Sequence, residues 1–319
     1  MSDVTNSKFY GKRKVVRNSG YSKYLLKQKM APYLFVTPYF FIFLAFSVFP
    51  IIFSAFISLN DWHGFDTPTF IGIKNYFEVF HDKLFYKALT NTFLLMLMVI
   101  PIQIILAFLI SNFLNSKLML FKKAFQIFIF LPYLTTPIAL GIIFSLLFDP
   151  AFGAVSIIFK TLNLPAIDWM GEVWPARILI AFVTIWRWVG YTAVLFLAGL
   201  TNINTDIFEA SEIDGANAFQ RMTAITIPLL RPIFTFVILT TMIGCFQIFE
   251  EPFMIFSVQQ HLVGGPDYSV LSGIWFFYET AFKGSFRNGY GASIAICLFV
   301  VIAIISFTVN RLIEGKRED

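Results

Sequence analysis

Runs of apolar residues separated by short polar intervals divide the chain into six blocks, at about 31–58, 89–113, 123–147, 176–200, 229–256 and 291–310. Each approaches or exceeds the roughly 20 helical residues needed to cross a hydrocarbon core. A backbone in lipid must satisfy its own hydrogen bonds, so blocks of this length read as helices. The pattern predicts an all-α, polytopic membrane protein with six transmembrane helices. An even number of crossings puts both termini on one side. The interval 201–228, the one long polar-amphipathic interval with a helix–turn–helix signature, then faces that same side.

Composition agrees with the pattern. Hydrophobic residues make up 57% of the 319 and charged ones 13%, and the mean hydropathy is +0.73, which excludes an ordinary water-soluble domain. The 41 phenylalanines would be an aggregation hazard in water and are ordinary against lipid tails. The net charge of +5 is carried by short basic runs beside apolar blocks rather than by a nucleic-acid-binding face. Lys8, Lys12, Arg13, Lys14, Arg17, Lys23, Lys27 and Lys29 precede the first block, and Arg311, Lys316 and Arg317 follow the last. Lys117, Lys122, Lys123, Arg221 and Arg231 fall in the intervals on the same side as the termini. The opposite side holds fewer: Lys74, Lys83, Lys87, Lys160, Arg177, Lys283 and Arg287. By the positive-inside rule both termini are expected in the cytoplasm.

The expected organisation is a basic cytoplasmic tail at 1–30, a six-helix domain at 31–310 with a cytoplasmic loop at 201–228, and a cytoplasmic tail at 311–319. The first tail and the span after it are too long for a cleaved leader. Cys245 and Cys297 fall inside predicted spans and read as packing residues. His63, His81 and His261 lie in separate loops without metal-ligand spacing, and no phosphate-binding Gly-x-x-x-x-Gly-Lys-Ser/Thr loop occurs. We therefore expect no enzyme and no cofactor in this chain, with any ATP and Mg bound by a partner.

The 201–228 interval has a helix–turn–helix pattern. Asp206 followed by Glu209 reads as a capping box that opens a short helix near Ile207. Gly215 supplies the positive φ that ends it. A second helix is expected from about Ala216 to Ile225, with Ala216, Phe219, Met222 and Ile225 along one face. Pro228 suits the first turn of the next apolar helix.

Here a family resemblance enters. Glu209-Ala210-Ser211, then Gly215, then Ile225-x-Ile227-Pro228 resembles the signature loop of permease subunits in binding-protein-dependent ABC importers. The Ile213-Asp214-Gly215-Ala216 core resembles their carbohydrate branch, the maltose and glycerol-3-phosphate type. Ser211 stands where Ala is commoner, and Ile227 where Leu is. Phe70-Ile-Gly72-Ile-Lys-Asn75-Tyr76 with Asn91-Thr92, Leu131-Pro132-Tyr133 with Pro137, and Gly264-Gly265-Pro266 before Gly289-Tyr290-Gly291 extend the likeness over most of the chain.

The resemblance implies the type I ABC importer permease fold. It also implies four kinds of partner: a second, similar permease subunit, cytoplasmic ATPase subunits, an extracytoplasmic solute-binding protein, and a sugar. Glu209, Ala210, Ser211, Asp214, Gly215, Ala216, Ile225 and Pro228 would then couple to the ATPase, and ATP-driven closure would rock the spans between inward- and outward-facing states. The setting is a bacterial or archaeal plasma membrane, with no nucleic-acid partner. The expected solute is a carbohydrate, an oligosaccharide first. Alternative readings are a non-sugar solute such as glycerol-3-phosphate, or an ATP-independent secondary transporter or facilitator.

Within the spans, charge is rare and therefore informative. Arg187 lies in Trp186-Arg187-Trp188, followed by Tyr191, and Glu250 and Glu251 lie at the end of the fifth block, so a salt bridge between Arg187 and one of them is expected. Thr240, Gly244, Gln247 and Glu251 share helical spacing and predict one small, polar stripe, which suits either helix packing or a solute path. Trp186, Trp188 and Tyr191 offer aromatic faces to sugar C–H surfaces, and Gln247, Gly244 and the charged residues complete a candidate substrate path. Pro101, Pro132 and Pro137 are expected to kink their helices. The aromatic segment Ile274–Tyr278 either lies at the interface or dips inward.

Overall fold

The computed structural model describes residues 19–116, 119, 121–259, 261–284 and 286–314. Lys8, Lys12, Arg13, Lys14, Arg17, Lys117, Lys316 and Arg317, on which the charge argument partly rests, lie outside the described residues. The chain forms two compact units, one reaching to Ser54 and one from Ala55 onward. The first holds α1 (Ser19–Phe43), a π turn at Leu44–Val48 and the start of α2 (Phe49–Ile57). Tyr33, Phe35, Phe41 and Phe46 are among its exposed side chains, as expected of a helix whose solvent is lipid.

The second unit opens with a short antiparallel pair, β1 (Asn60–Asp61) and β2 (Thr69–Phe70). Helices α3 (Lys74–His81) and α4 (Lys83–Asn115) follow. Asp82 caps α4 by accepting from the Leu84 N–H at 2.8 Å. The helix runs unbroken through Pro101, and its buried residues recur at three- and four-residue spacing from Phe85 to Leu114. Polar side chains sit on that buried face: Asn91, Thr92, Gln103 and Ser111. Leu97, Ile102, Ile105, Leu109 and Phe113 point outward. This inversion follows from the solvent, since lipid rewards no burial of leucine while interhelical hydrogen bonds and close packing do favour contact.

The third apolar block is where the structure departs most from a straight span. It consists of α5 (Lys122–Phe130), a 3₁₀ turn (Leu131–Leu134) and α6 (Pro137–Leu147), with a bend of 94° between its halves. Thr135 and Thr136 are extended, at ψ 135° and 144°. A residue before proline is pushed out of the helical region, so Pro137 breaks the helix at Thr136, and the Thr136 hydroxyl caps the restart. Among the described residues five helices are thus long and apolar enough to span, or six if the bent pair counts as one span.

Helix α7 (Ala154–Thr161) precedes α8 (Val173–Thr201), which packs along α4. The two run parallel: Arg177 meets Asn91, Gln103 meets Thr192 at 2.9 Å, and Phe108 meets Phe196. Next come α9 (Thr205–Ile213), α10 (Ala218–Arg221), α11 (Ile227–Leu229), α12 (Arg231–Phe246), α13 (Glu250–Pro252), α14 (Gly273–Tyr278) and α15 (Asn288–Glu314). Leu230 and Val237 of the α12 region join Phe108, Phe196 and Leu200 in one apolar cluster. A larger cluster joins Leu95, Leu140, Ile180, Ile255, Trp275 and Ile294.

The ends of the unit are thereby sorted. Arg231 donates to the Ile313 carbonyl at 2.9 Å, so the 201–230 segment and the last turns of α15 share one end. At the other end Arg287 pairs with Glu78 through two 2.6 Å bonds, and Tyr290 donates to Asp82 at 2.8 Å. Arg287 holds the Glu78 carboxyl below its ordinary range, through hydrogen bonding first and charge second. The aromatic segment near 274–278 dips inward: Trp275 is fully buried in the larger cluster.

Candidate functional site

Two features outside ordinary packing stand out, one at the 201–230 end and one within the spans. The first is a helical hairpin. Asn204 caps α9, its side chain accepting from the Asp206 N–H at 3.1 Å. The expected Asp206–Glu209 capping box is therefore corrected: the chain has already turned into the helix at Thr205, which leaves Asp206 in the first turn, where a carboxylate suits the helix dipole. The capping box that does form is at the second helix, between Asn217 and Gln220.

Between them the turn is a Schellman motif. Gly215 has φ +79°; its N–H donates to the Glu212 carbonyl, and that of Ala216 donates to the Ser211 carbonyl at 2.9 Å. Asp214 is the C-cap. A methyl group built on Gly215 would meet nothing within 4 Å, so the demand for glycine here is one of backbone conformation alone. Glu212 and Arg221 form an ion pair that ties the two arms together.

The second arm starts at Ala218, later than expected, because Asn217 is its cap. It continues through a π turn at Met222–Thr226 into α11, so Pro228 lies in this arm. Pro232 takes the first-turn place in α12. The expected apolar ridge is divided: Phe219 is exposed, whereas Met222 and Ile225 are half-buried, Met222 against the second cluster. Ser211 is buried, and its hydroxyl donates to the Phe208 carbonyl at 2.7 Å. Glu209 and Ala210 are exposed. Ile213, at 88% exposure, and Phe219, at 68%, leave two large apolar side chains uncovered on either side of Gly215.

The second feature is an ionic cluster within the spans. Arg187 Nη1 donates to Glu251 Oε1 at 2.8 Å and to Glu250 Oε2 at 3.0 Å. The expected pairing with one carboxylate is thus a pairing with both. Trp188 Nε1 also reaches Glu251 Oε1, at 3.4 Å. Glu251 is 5% exposed on its side chain and Glu250 54%. The predicted stripe is corrected at this point. Helix α12 ends at Phe246, and Phe249 adopts φ −145°. Beyond that break Glu251 turns inward to Arg187, and Glu250 is the carboxylate left exposed, as are Thr240, Gly244 and Gln247. A methyl group on Gly244 would meet nothing within 4 Å.

The three aromatic candidates part company. Trp188 and Tyr191 gather around Tyr133 at the third-block break, with ring centroids 5.1 and 5.0 Å from it. Trp186 instead packs edge-on against Phe144, inside the larger cluster. Sequence reasoning missed Tyr133 as a member of this group, although its place between two prolines was a signal. It also missed the clamp around Arg177, which is buried and donates to Asn91 Oδ1 at 2.9 Å and to the Ser269 carbonyl. Among the described residues no group of histidine, cysteine or acidic side chains could hold a metal.

No family model matches the chain. It is 34% identical over 302 residues to the arabinooligosaccharides transport system permease protein AraP of Bacillus subtilis (strain 168), covering 93% of this chain and 92% of that one. The chain belongs to the sugar ABC transporter permease family. The lactose transport system permease protein LacF of Rhizobium radiobacter is 30% identical over 277 residues, covering 86% of this chain and 91% of LacF. Among solved structures, a chain of a bacterial ABC transporter involved in the import of the acidic polysaccharide alginate matches with a TM-score of 0.73, at 20% identity, over 92% of this chain and 99% of that one. That likeness establishes the fold. The protein is a multi-pass permease of the plasma membrane, a transport component of an ABC importer.

Proposed function

We propose that this permease carries an oligosaccharide across the plasma membrane, delivered by an extracytoplasmic solute-binding protein and driven by separate ATPase subunits. A second, similar permease subunit completes the path. The relatives named for arabinooligosaccharide and lactose transport support the sugar reading. The observation that carries the coupling is the hairpin at Gly215, with Ile213 and Phe219 uncovered. Two large apolar side chains left exposed beside one tight turn suit a protein contact better than a solvated loop.

In this reading the hairpin and both termini are cytoplasmic, and ATPase closure moves the hairpin as one body. Glu209 and Ala210 lie on its exposed surface, while Ser211, Asp214 and Ala216 shape the turn. Arg187, Glu250, Gln247, Gly244, Trp188 and Tyr191 face or support the solute path, with Trp186 packing behind them. The chain itself holds no cofactor; ATP and Mg belong to its partners.

The test is reconstitution with the ATPase, the binding protein and the second permease in proteoliposomes. Uptake of a loaded oligosaccharide should require ATP, and Ile213→Asp with Phe219→Asp should abolish both ATPase copurification and uptake. Sugar entry that persists without the ATPase would overturn the proposal.

A further inference from the structure

The geometry points to Glu250 as a specificity-determining residue, a charge filter that admits neutral saccharides and rejects acidic ones. This rests on the sugar-importing function proposed above. Its basis is the uneven sharing of one cation by two carboxylates. Both contacts use the same nitrogen, Arg187 Nη1, while Arg187 Nε is buried with no acceptor. Glu251 is committed, buried and bonded to Arg187 and Trp188. The cluster therefore keeps a net negative charge, and its exposed carboxylate is Glu250.

An exposed carboxylate within a span cannot face lipid without a cost, which reaches about 2.5–3.5 kcal/mol at the centre of the bilayer. It fits a water-lined path. Thr240, Gly244 and Gln247 precede it as exposed small or polar positions, on a region where other spans expose Ile, Leu and Phe. A neutral sugar meets Glu250 as a charge-assisted acceptor for its hydroxyls, roughly twice as strong as a neutral one. The rings of Trp188, Tyr191 and Tyr133 present negative faces that suit electropositive C–H groups. A uronate carboxylate within about 5 Å of Glu250 meets repulsion worth roughly a hundredfold in affinity at an effective dielectric of about 20. The alginate importer shares the fold, so acceptance or rejection of acidic sugar is decided by side chains and not by architecture.

The experiment uses the assembled transporter in detergent without its binding protein, so that selectivity of the latter does not enter. Tryptophan fluorescence is titrated with neutral probes (arabino-, malto- and lacto-oligosaccharides) and acidic ones (oligogalacturonate and alginate oligosaccharides), and ATP-driven uptake is measured separately in proteoliposomes supplied with the binding protein. The unaltered complex should bind at least one neutral probe, and acidic probes of equal length at least about tenfold more weakly. Glu250→Gln, which keeps an acceptor for Arg187, should narrow that gap about tenfold, and Glu250→Asp should preserve it. Elution as an intact complex confirms folding of each variant. Acidic probes binding as tightly as neutral ones, or a gap unchanged in Glu250→Gln, would overturn the filter. Absence of any saccharide binding or ATP-driven uptake would instead bring down the sugar reading, and the filter with it.

Discussion

Arg187 donates to Glu251 across 2.8 Å, joining the middle of α8 to the far side of the break that follows α12. Since Glu251 is buried, removing its partner strands a carboxylate in a medium that cannot solvate it. We expect Arg187→Ala to destabilise the protein by about 3–5 kcal/mol, read as a lowered melting midpoint in detergent. Arg187→Lys should recover part of the loss, since a lysine keeps the charge but carries it as a more strongly hydrated ammonium on a flexible stem. Equal melting of Arg187→Ala and the unaltered protein would refute the clamp.

Gly215 offers a cleaner test of backbone conformation, because a methyl group there meets no neighbour. Gly215→Ala should cost about 1–2 kcal/mol from the left-handed φ alone, and Gly215→Asn less. Hydrogen exchange of residues 205–229 should rise in the alanine variant while exchange in α4 and α8 stays unchanged. A β-branched residue such as valine should also reduce ATPase copurification.

Asn91 anchors the 268–271 segment by donating to the carbonyls of Tyr268 and Leu271, at 2.6 and 3.1 Å, while accepting from Arg177. Asn91→Leu removes all three bonds and leaves a buried guanidinium and two carbonyls short of partners. Each stranded group costs about 1–3 kcal/mol. Limited proteolysis should cut within 262–272 in this variant, at protease levels that spare the original.

The Glu78–Arg287 pair predicts a pH dependence. Arg287 depresses the Glu78 pKa below its ordinary value of 4.5, so the folded state binds a proton less readily than the unfolded chain. The pair's stabilisation is fully present above pH 4.5 and is lost as pH falls through the lower folded value. Melting of the unaltered protein and of Glu78→Gln should therefore differ by a constant above about pH 5 and converge in more acidic buffer. Because Glu78 is 42% exposed, the difference is expected to be small and to shrink with added salt.

Much of this protein was legible without coordinates. Lipid admits few backbone arrangements, so block length and hydropathy alone located five of the spans to within six residues at either end; α8, expected at 176–200, runs from Val173 to Thr201. The hairpin turn was legible at Gly215, because a helix ending in the left-handed region calls for glycine. That Arg187 would pair with Glu250 or Glu251 followed from the scarcity of charge in the membrane, though not that it would pair with both.

Where local signals competed, tertiary packing chose. Asn204 and Asp206 can both cap a helix, and only the course of the chain leaving α8 shows that Asn204 does. A proline within an apolar block can bend a helix or break it; the 94° turn at Thr135–Thr136 depends on what α5 and α6 each pack against. Glu250 and Glu251 are chemically identical neighbours in sequence. Which one is buried against Arg187, and which is left facing open space, was settled by the break after Phe246, because contact across the bundle is a property of three-dimensional placement that no spacing along the chain encodes.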